Sequence, residues 1–311
     1  MYRFSLRKIA FLFLVAICGQ NSVVAEVFYA DPDSNAAIWV RNNSSDWRMT
    51  AIRDNIVKQP AGKWFGNWSG NIITAVGNYV GAAAILDQTP ILVAYNMPGR
   101  DCNQHSRGGA KSIEDYKQWI SAFATAVETR KAVIILEPDA LAQLDCLLIE
   151  DKVARLEMLR YAVNQFKQQT PKALIYLDAG HSAWLSASVA ASRLLQAGIM
   201  DAHGFSLNVS NFKTTADNIR YGNAVNAALN QQLGIIKPFV IDTSRNGNGP
   251  DGSKWCDPIG RKLGTKSKEN STGEQPEMTL WIKNPGNADG CAAPAGTFVP
   301  HIAYDLIFGY F

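Results

Sequence analysis

The chain alternates short apolar runs with longer segments that carry one apolar stripe, and this alternation restricts its fold more than any other feature. The runs cover residues 27–30, 91–95, 132–136, 173–177, 204–209, 239–241 and 279–282, and are rich in Val, Ile and Leu. Strands this apolar expect cover on both faces, as parallel sheets provide. Between them the helical period of apolar positions recurs over 113–130, 152–169, 183–195 and 216–233. In the first of these, Tyr116, Ile120, Phe123 and Val127 share a stripe. The expected class is α/β with a parallel sheet. Seven strands at this length suit a barrel better than an open sheet, although periodicity alone does not choose between them. Residues 242–278, with many Gly, Asn, Ser and Lys, read as one long functional loop.

The first 25 residues read as a secretory signal peptide. Arg3, Arg7 and Lys8 precede the apolar run 9–18, and Val23-Val24-Ala25 supplies small residues for cleavage before Glu26. The run is far shorter than the roughly 20 residues that span a bilayer. A lipoprotein anchor at Cys18 is the weaker alternative, because Ile17 is bulky where such a signal wants a small residue. Loss of three basic residues brings the formal charge of +3 to neutrality. A neutral chain offers no electrostatic footprint for nucleic acid or an anionic membrane, so an uncharged partner is expected. Residues 26–311 carry no linker or repeat and read as one domain, expected to act as a monomer. Four cysteines remain, which permits three disulfide connectivities in an exported protein. The neighbour pairing, Cys102–Cys146 and Cys256–Cys291, closes the shorter loops and is the one expected.

The chemistry is written at the strand ends. Asp101 follows the second run, Glu137-Pro138-Asp139 the third, Asp178 and His181 the fourth, Asn208 lies in the fifth, and Lys283 to Asp289 follow the last. In parallel α/β proteins these ends open on one face, where active sites form. A single Asp after a strand is more often a helix cap than a catalyst. Carboxylates and amides at five strand ends, with Pro or Gly in most of the turns, are harder to explain as caps. Converging carboxylates can supply the acid and base of a hydrolase. Trp64, Trp68, Trp184, Trp255 and Trp281 lie in or beside loops and strand ends. Any one of them could be core, but indole faces also stack on sugar rings, and Trp184 and Trp255 sit in the most polar surroundings. No GxGxxG stands directly after a strand, and no GK[ST], GxSxG, HExxH or CxxC pattern occurs, so no cofactor or metal is expected.

Taken together, Tyr95-Asn96-Met97-Pro98-Gly99-Arg100-Asp101-Cys102, Leu136-Glu137-Pro138-Asp139, Tyr176-Leu177-Asp178-Ala179-Gly180-His181 and Trp281-Ile282-Lys283 with Pro285-Gly286 and Asp289-Gly290 resemble the family six glycoside hydrolases. The likeness runs from Phe28-Tyr29-Ala30-Asp31-Pro32 to the C-terminus. It implies a distorted barrel of seven parallel strands, with an open substrate cleft at their C-terminal ends. It also implies inverting hydrolysis of β-1,4-glucan. By the same resemblance Asp139 is the general acid. Asp101 is the second carboxylate, Ser106 holds the attacking water, Tyr95 distorts the sugar, and Asp289 is a further aspartate whose role as base is disputed. Trp64 joins the aromatic candidates for sugar stacking, while Asp178, His181, Trp184, Asn208, Trp255 and Lys283 match sugar-contacting positions. The disulfide pairing chosen above matches that of the family.

Two departures stand out. Asn287 replaces a usual Glu, and an amide carries no charge, which implies altered sugar binding near the cleavage point. Ala187 stands where processive fungal members place a tryptophan. The segments 103–112 and 257–290 are also short for tunnel-roofing loops, which points to internal cleavage in an open cleft. A glucan-binding protein without catalysis, motivated by Asn287, and a hydrolase of another β-glucan such as mixed-linkage glucan are the competing readings.

Overall fold

The computed structural model describes residues 27–310, so the expected signal peptide lies outside them. Seven parallel strands follow one another around the sheet: β1 (Lys63–Phe65), β2 (Ile91–Ala94), β3 (Ala132–Leu136), β4 (Ala173–Asp178), β5 (Gly204–Leu207), β6 (Phe239–Asp242) and β8 (Met278–Leu280). The two-residue β7 (Lys268–Glu269) joins the outer edge of β8 antiparallel, making eight strands in all.

One expected strand is replaced. Residues 27–30 contribute only a parallel bridge between Phe28 and Thr89, and the first strand is β1. Lys63-Trp64-Phe65 sits between Gly62 and Gly66; two strand-favouring aromatics in a three-residue stretch are too short a run to show a strand period. The loop expected over 242–278 is present, interrupted by β7.

Period-two alternation along the strands divides the apolar residues between two cores, one on each face of the curled sheet. Ile91 and Val93, Val133 and Ile135, Tyr176, and Val240 pack together inside the barrel. Leu92 and Ala94, Ile134 and Leu136, Leu177, and Ile241 face outward against the helices. Those helices are α3 (Ile72–Ile85), α4 (Ile113–Val127), α5 (Ile149–Gln169), α6 (Ala187–Gln196) and α7 (Thr215–Leu233), while α1 (Asn35–Asn42), α2 (Met49–Ile52) and α8 (Pro300–Phe308) build a separate small core beside β1. Side-chain caps fix several starts: Asn71, Ser112 and Thr214 accept the N–H of Thr74, Asp115 and Asp217. Among the described residues no helix is long and apolar enough to cross a membrane.

The barrel is distorted because β1 and β8 share no ladder. Its seam is closed by single hydrogen bonds. The Gly62 N–H donates to the Trp281 carbonyl at 2.8 Å, the Trp64 indole donates to the Ile282 carbonyl at 2.9 Å, and the Asn284 amide donates to the Gly62 carbonyl at 2.8 Å. A Cβ on Gly62 would stand 2.5 Å from the Ile282 oxygen, so only glycine permits this approach.

Candidate active site

At the C-terminal mouth the inward-facing register changes from apolar to acidic. Two residues beyond Ile135, Tyr176 and Val240 stand Glu137, Asp178 and Asp242, all buried. Each carboxylate accepts backbone donors from a neighbouring loop. Glu137 receives the N–H groups of Asn96 (3.0 Å) and Met97 (2.9 Å). Asp178 receives those of Asp139 (2.9 Å) and Gly180 (3.2 Å), and the Ser206 hydroxyl at 3.1 Å. Asp242 receives the N–H groups of Ser210, Ser244, Ile282 and Lys283. These acids knit the loops into one rigid rim. Burial pushes both Glu137 and Asp178 up to about 7.

The rim holds strained backbone. Asp101, Cys102, Glu137, Asp139, Asn208, Ser210 and Asp257 all have φ between 43° and 68°. For residues with a side chain this left-handed conformation costs about 1 kcal/mol or more each. The two other non-glycine cases, Asp87 and Glu128, lie at the opposite end of the barrel. Strain concentrated at one mouth is what a preorganised site requires.

A groove of about 1110 Å³ crosses this mouth, and its walls include Asp139, Asp101, Ser106, Tyr95, Asp289, Trp64, His181, Trp184, Trp255, Lys283 and Asn287. Eleven of the thirteen residues expected to be catalytic or sugar-contacting therefore meet in one place. Asp178 and Asn208 do not line it. Asp178 instead supports the Asp139 turn from below. Asn208 is buried, donating to the Asp242 carbonyl at 2.8 Å and accepting from the Lys213 N–H at 3.1 Å. Trp68 is on the wall, whereas Trp281 is core, its indole donating to the Thr265 carbonyl at 2.9 Å.

Asp139 stands partly open to the groove, and its carboxyl is raised well above the usual carboxylate range. Desolvation is the main cause, followed by the negative charges of Asp178 and Asp101. Asp101 is held in turn by the Ser106 N–H at 2.6 Å and the Gln143 amide at 3.2 Å. The disulfide Cys102–Cys146, with Cα atoms 6.3 Å apart, fastens that loop to the turn after β3.

Asp289 has the opposite environment. Burial alone would raise it, but Arg245 and Lys283, each 2.8 Å away, hold it at about 2. One groove thus holds a carboxyl that keeps its proton more tightly than usual and another that releases it more readily, a divergence that separates acid from anion. The Trp255 loop is tied to Asp289 twice: by Cys256–Cys291, and by Asp257, which accepts the N–H groups of Asp289 and of the next three residues.

Arg245 and Asp242 were not read as site residues from the sequence. Asp242 follows a recognised strand and could have been found by the strand-end rule; Arg245 sits in what read as an unpatterned loop. His181 packs beside Trp184 (5.3 Å between rings) and is lowered to about 4, by burial first and then by Lys213. Among the described residues, the single His/Cys/Asp/Glu cluster close enough for a metal is His105 with Cys256 and Cys291, whose sulfurs are joined in a disulfide.

A distorted parallel βα barrel with opposed carboxyls on an aromatic-walled groove is the build of a polysaccharide-cleaving hydrolase. The chain belongs to the glycosyl hydrolases family 6, whose sequence pattern matches residues 20–303. It is 50% identical over 289 residues to Endoglucanase 1 of Streptomyces halstedii, covering 91% of this chain and 89% of that one. It is 44% identical over 295 residues to Endoglucanase A of Thermobispora bispora, covering 94% of this chain but 64% of that longer one. The solved endoglucanase Cel6 of Mycobacterium tuberculosis, in complex with methyl-cellobiosyl-4-deoxy-4-thio-β-D-cellobioside, superimposes with a TM-score of 0.85 at 39% identity, covering 91% of this chain and 97% of that one.

Proposed function

We propose that this chain is a secreted, monomeric endo-β-1,4-glucanase that hydrolyses internal bonds of cellulose-like glucan with inversion. Its signal peptide ends at Ala25, and residues 26–311 form the catalytic domain. The relatives above are named endoglucanases, and the solved neighbour is described with a cellobiosyl compound. The observation that carries the mechanism is the environment of Asp139, a groove-lining carboxyl whose burial and acidic neighbours strengthen its hold on a proton.

Asp139 gives its proton to the glycosidic oxygen as the bond to the anomeric carbon breaks. Water adds to that carbon from the opposite face, oriented by Ser106, and passes its surplus proton to the Asp101 carboxylate, while Tyr95 presses the ring out of its relaxed shape. Asp289, held at about 2, is a poor proton acceptor at neutral pH. With one cation on each oxygen, its role is to hold Arg245 and Lys283 in place at the groove wall. Trp64, Trp184 and Trp255 stack on glucosyl rings, with His181, Lys283 and Asn287 contacting hydroxyls. The groove lies open, with Trp68, Trp184 and Trp255 exposed by 54%, 39% and 42%, and this supports entry of internal chain segments.

Proton NMR of fresh products from a soluble cello-oligosaccharide is the direct test. The α-anomer is expected first; a β-anomer would mean retention and overturn the mechanism. A second prediction concerns Asp178→Asn. The new amide can accept from Asp139 and Gly180 and donate to the Ser206 oxygen, so folding should be little changed. The like charge that helps raise Asp139 is removed. The alkaline limb of kcat/KM should therefore move to lower pH. An unmoved limb would argue that Asp139 is not the group titrating there.

A further inference from the structure

Outside the groove the molecule carries a second aromatic surface that the reaction does not use. Trp47, Phe308 and Tyr310 are exposed by 72%, 42% and 54%. They surround Tyr304, whose ring is 4.6 Å from Trp47 and 4.7 Å from Phe308; Phe308 and Tyr310 lie within 14° of parallel. The Arg48 guanidinium sits 5.6 Å from the rings of both Trp39 and Trp47. Asp46 grips that guanidinium with both oxygens, at 3.0 and 2.8 Å.

The strip is linked to the groove wall. Asn35 and Ala36 of α1 line the groove wall, and Trp39 lies one helical turn further along the same helix. Thr297 lines the wall as well, and its neighbour Phe298 packs on Trp39 at 6.0 Å. The half-buried Trp39 and Phe298 therefore link the groove wall to the exposed rings of Trp47 and α8.

We propose that this strip is a second binding surface for β-glucan, on which a chain or the face of an insoluble glucan rests while part of it occupies the groove. Three observations select that occupant. Large exposed aromatics offer flat apolar area with polar edges, which suits pyranose faces. The cationic group of the strip is neutralised by Asp46, so it offers little net charge to nucleic acid or an anionic membrane. Its link to the groove wall through Trp39 and Phe298 puts it within reach of a long substrate. The Arg48 clamp fixes Trp39 and Trp47 in place and so reduces the entropy lost on binding.

The proposal rests on the glucanase reading, and the test separates the two. Trp47→Ala combined with Tyr310→Ala removes two exposed rings without touching the barrel core; Ile85→Ser, 86% exposed on α3, removes apolar area elsewhere. Adsorption of the mature chain to microcrystalline cellulose and turnover of soluble cellotetraose are measured for each. The double variant should adsorb roughly tenfold more weakly, as expected for loss of two stacking contacts. It should hydrolyse cellotetraose as the parent does, and Ile85→Ser should match the parent in both. Unchanged adsorption would overturn the proposal. So would an equal loss on cellotetraose, which would make the strip a support of the groove. A parent dimer that the double variant abolishes would assign the strip to a second copy of the chain instead. A parent that adsorbs through these rings yet leaves cellotetraose intact would overturn the glucanase reading and leave the surface standing.

Discussion

Replacing Asp139 by alanine should lower kcat on an unactivated cello-oligosaccharide by roughly 10²–10⁴-fold, the usual contribution of a positioned general acid. That range corresponds to about 3–5.5 kcal/mol of transition-state stabilisation. The loss should shrink sharply on a dinitrophenyl cellobioside, whose leaving group departs without protonation. The alkaline limb of the pH profile, which reports loss of the Asp139 proton, should vanish on that activated substrate. Equal losses on both substrates would remove the acid role from Asp139. The expectation has a structural cause. The carboxyl is raised by burial and by Asp178 and Asp101, and its backbone is clamped to Asp178 at 2.9 Å. Proton affinity and position are therefore set together. Substitution should be far less damaging to the fold, because the Asp139 side chain opens on the groove and the Asp178 contact is made by its main chain.

What the sequence disclosed follows from how locally each feature is encoded. β2, β3 and β4 announce themselves because both faces of each strand are apolar, one serving the interior and one the helices. β1 does not, since three residues between glycines hold no pattern and are placed by contacts with β2 and the seam. α3 is nearly all apolar or small residues, so no stripe distinguishes it from a strand. The groove residues were legible because strand order puts every C-terminal end on one face. Asp178 shows the limit of that rule. A strand-end acid can point into the groove or turn beneath it, and here period-two spacing from Tyr176 sends it inward to hold the loop that follows β3. Arg245 was hidden for a different reason. Its partner Asp289 is 44 residues away, and only closure of the barrel brings them together.

That hidden pair should govern stability. Arg245→Met is expected to destabilise the protein by about 3–5 kcal/mol, the usual penalty for leaving one member of a buried ion pair without its partner. Arg245 and Asp289 are both almost fully buried, at 2% and 6% side-chain exposure, so water cannot replace the lost contact. The guanidinium also donates to the Ser210 carbonyl at 2.6 Å and lies 4.3 Å over Phe212; the methionine stem retains part of that packing but none of the charge. Lys283 remains beside Asp289 at 2.8 Å, which places the effect toward the lower end of the range. Urea unfolding with both disulfides intact measures it. The double variant Arg245→Met with Asp289→Asn should recover part of the loss, because no unbalanced anion is then buried. The pH dependence gives an independent reading. Asp289 is depressed to about 2 in the folded chain, so its contribution is fully present above the unfolded value near 4 and is lost as pH falls toward 2. A depression of that size is worth about 2.5 kcal/mol. In Arg245→Met the folded value should rise and this acid-side slope should flatten. A variant with parental stability and an unchanged slope would mean that Lys283 alone holds Asp289, and that Arg245 is needed only for packing against Phe212.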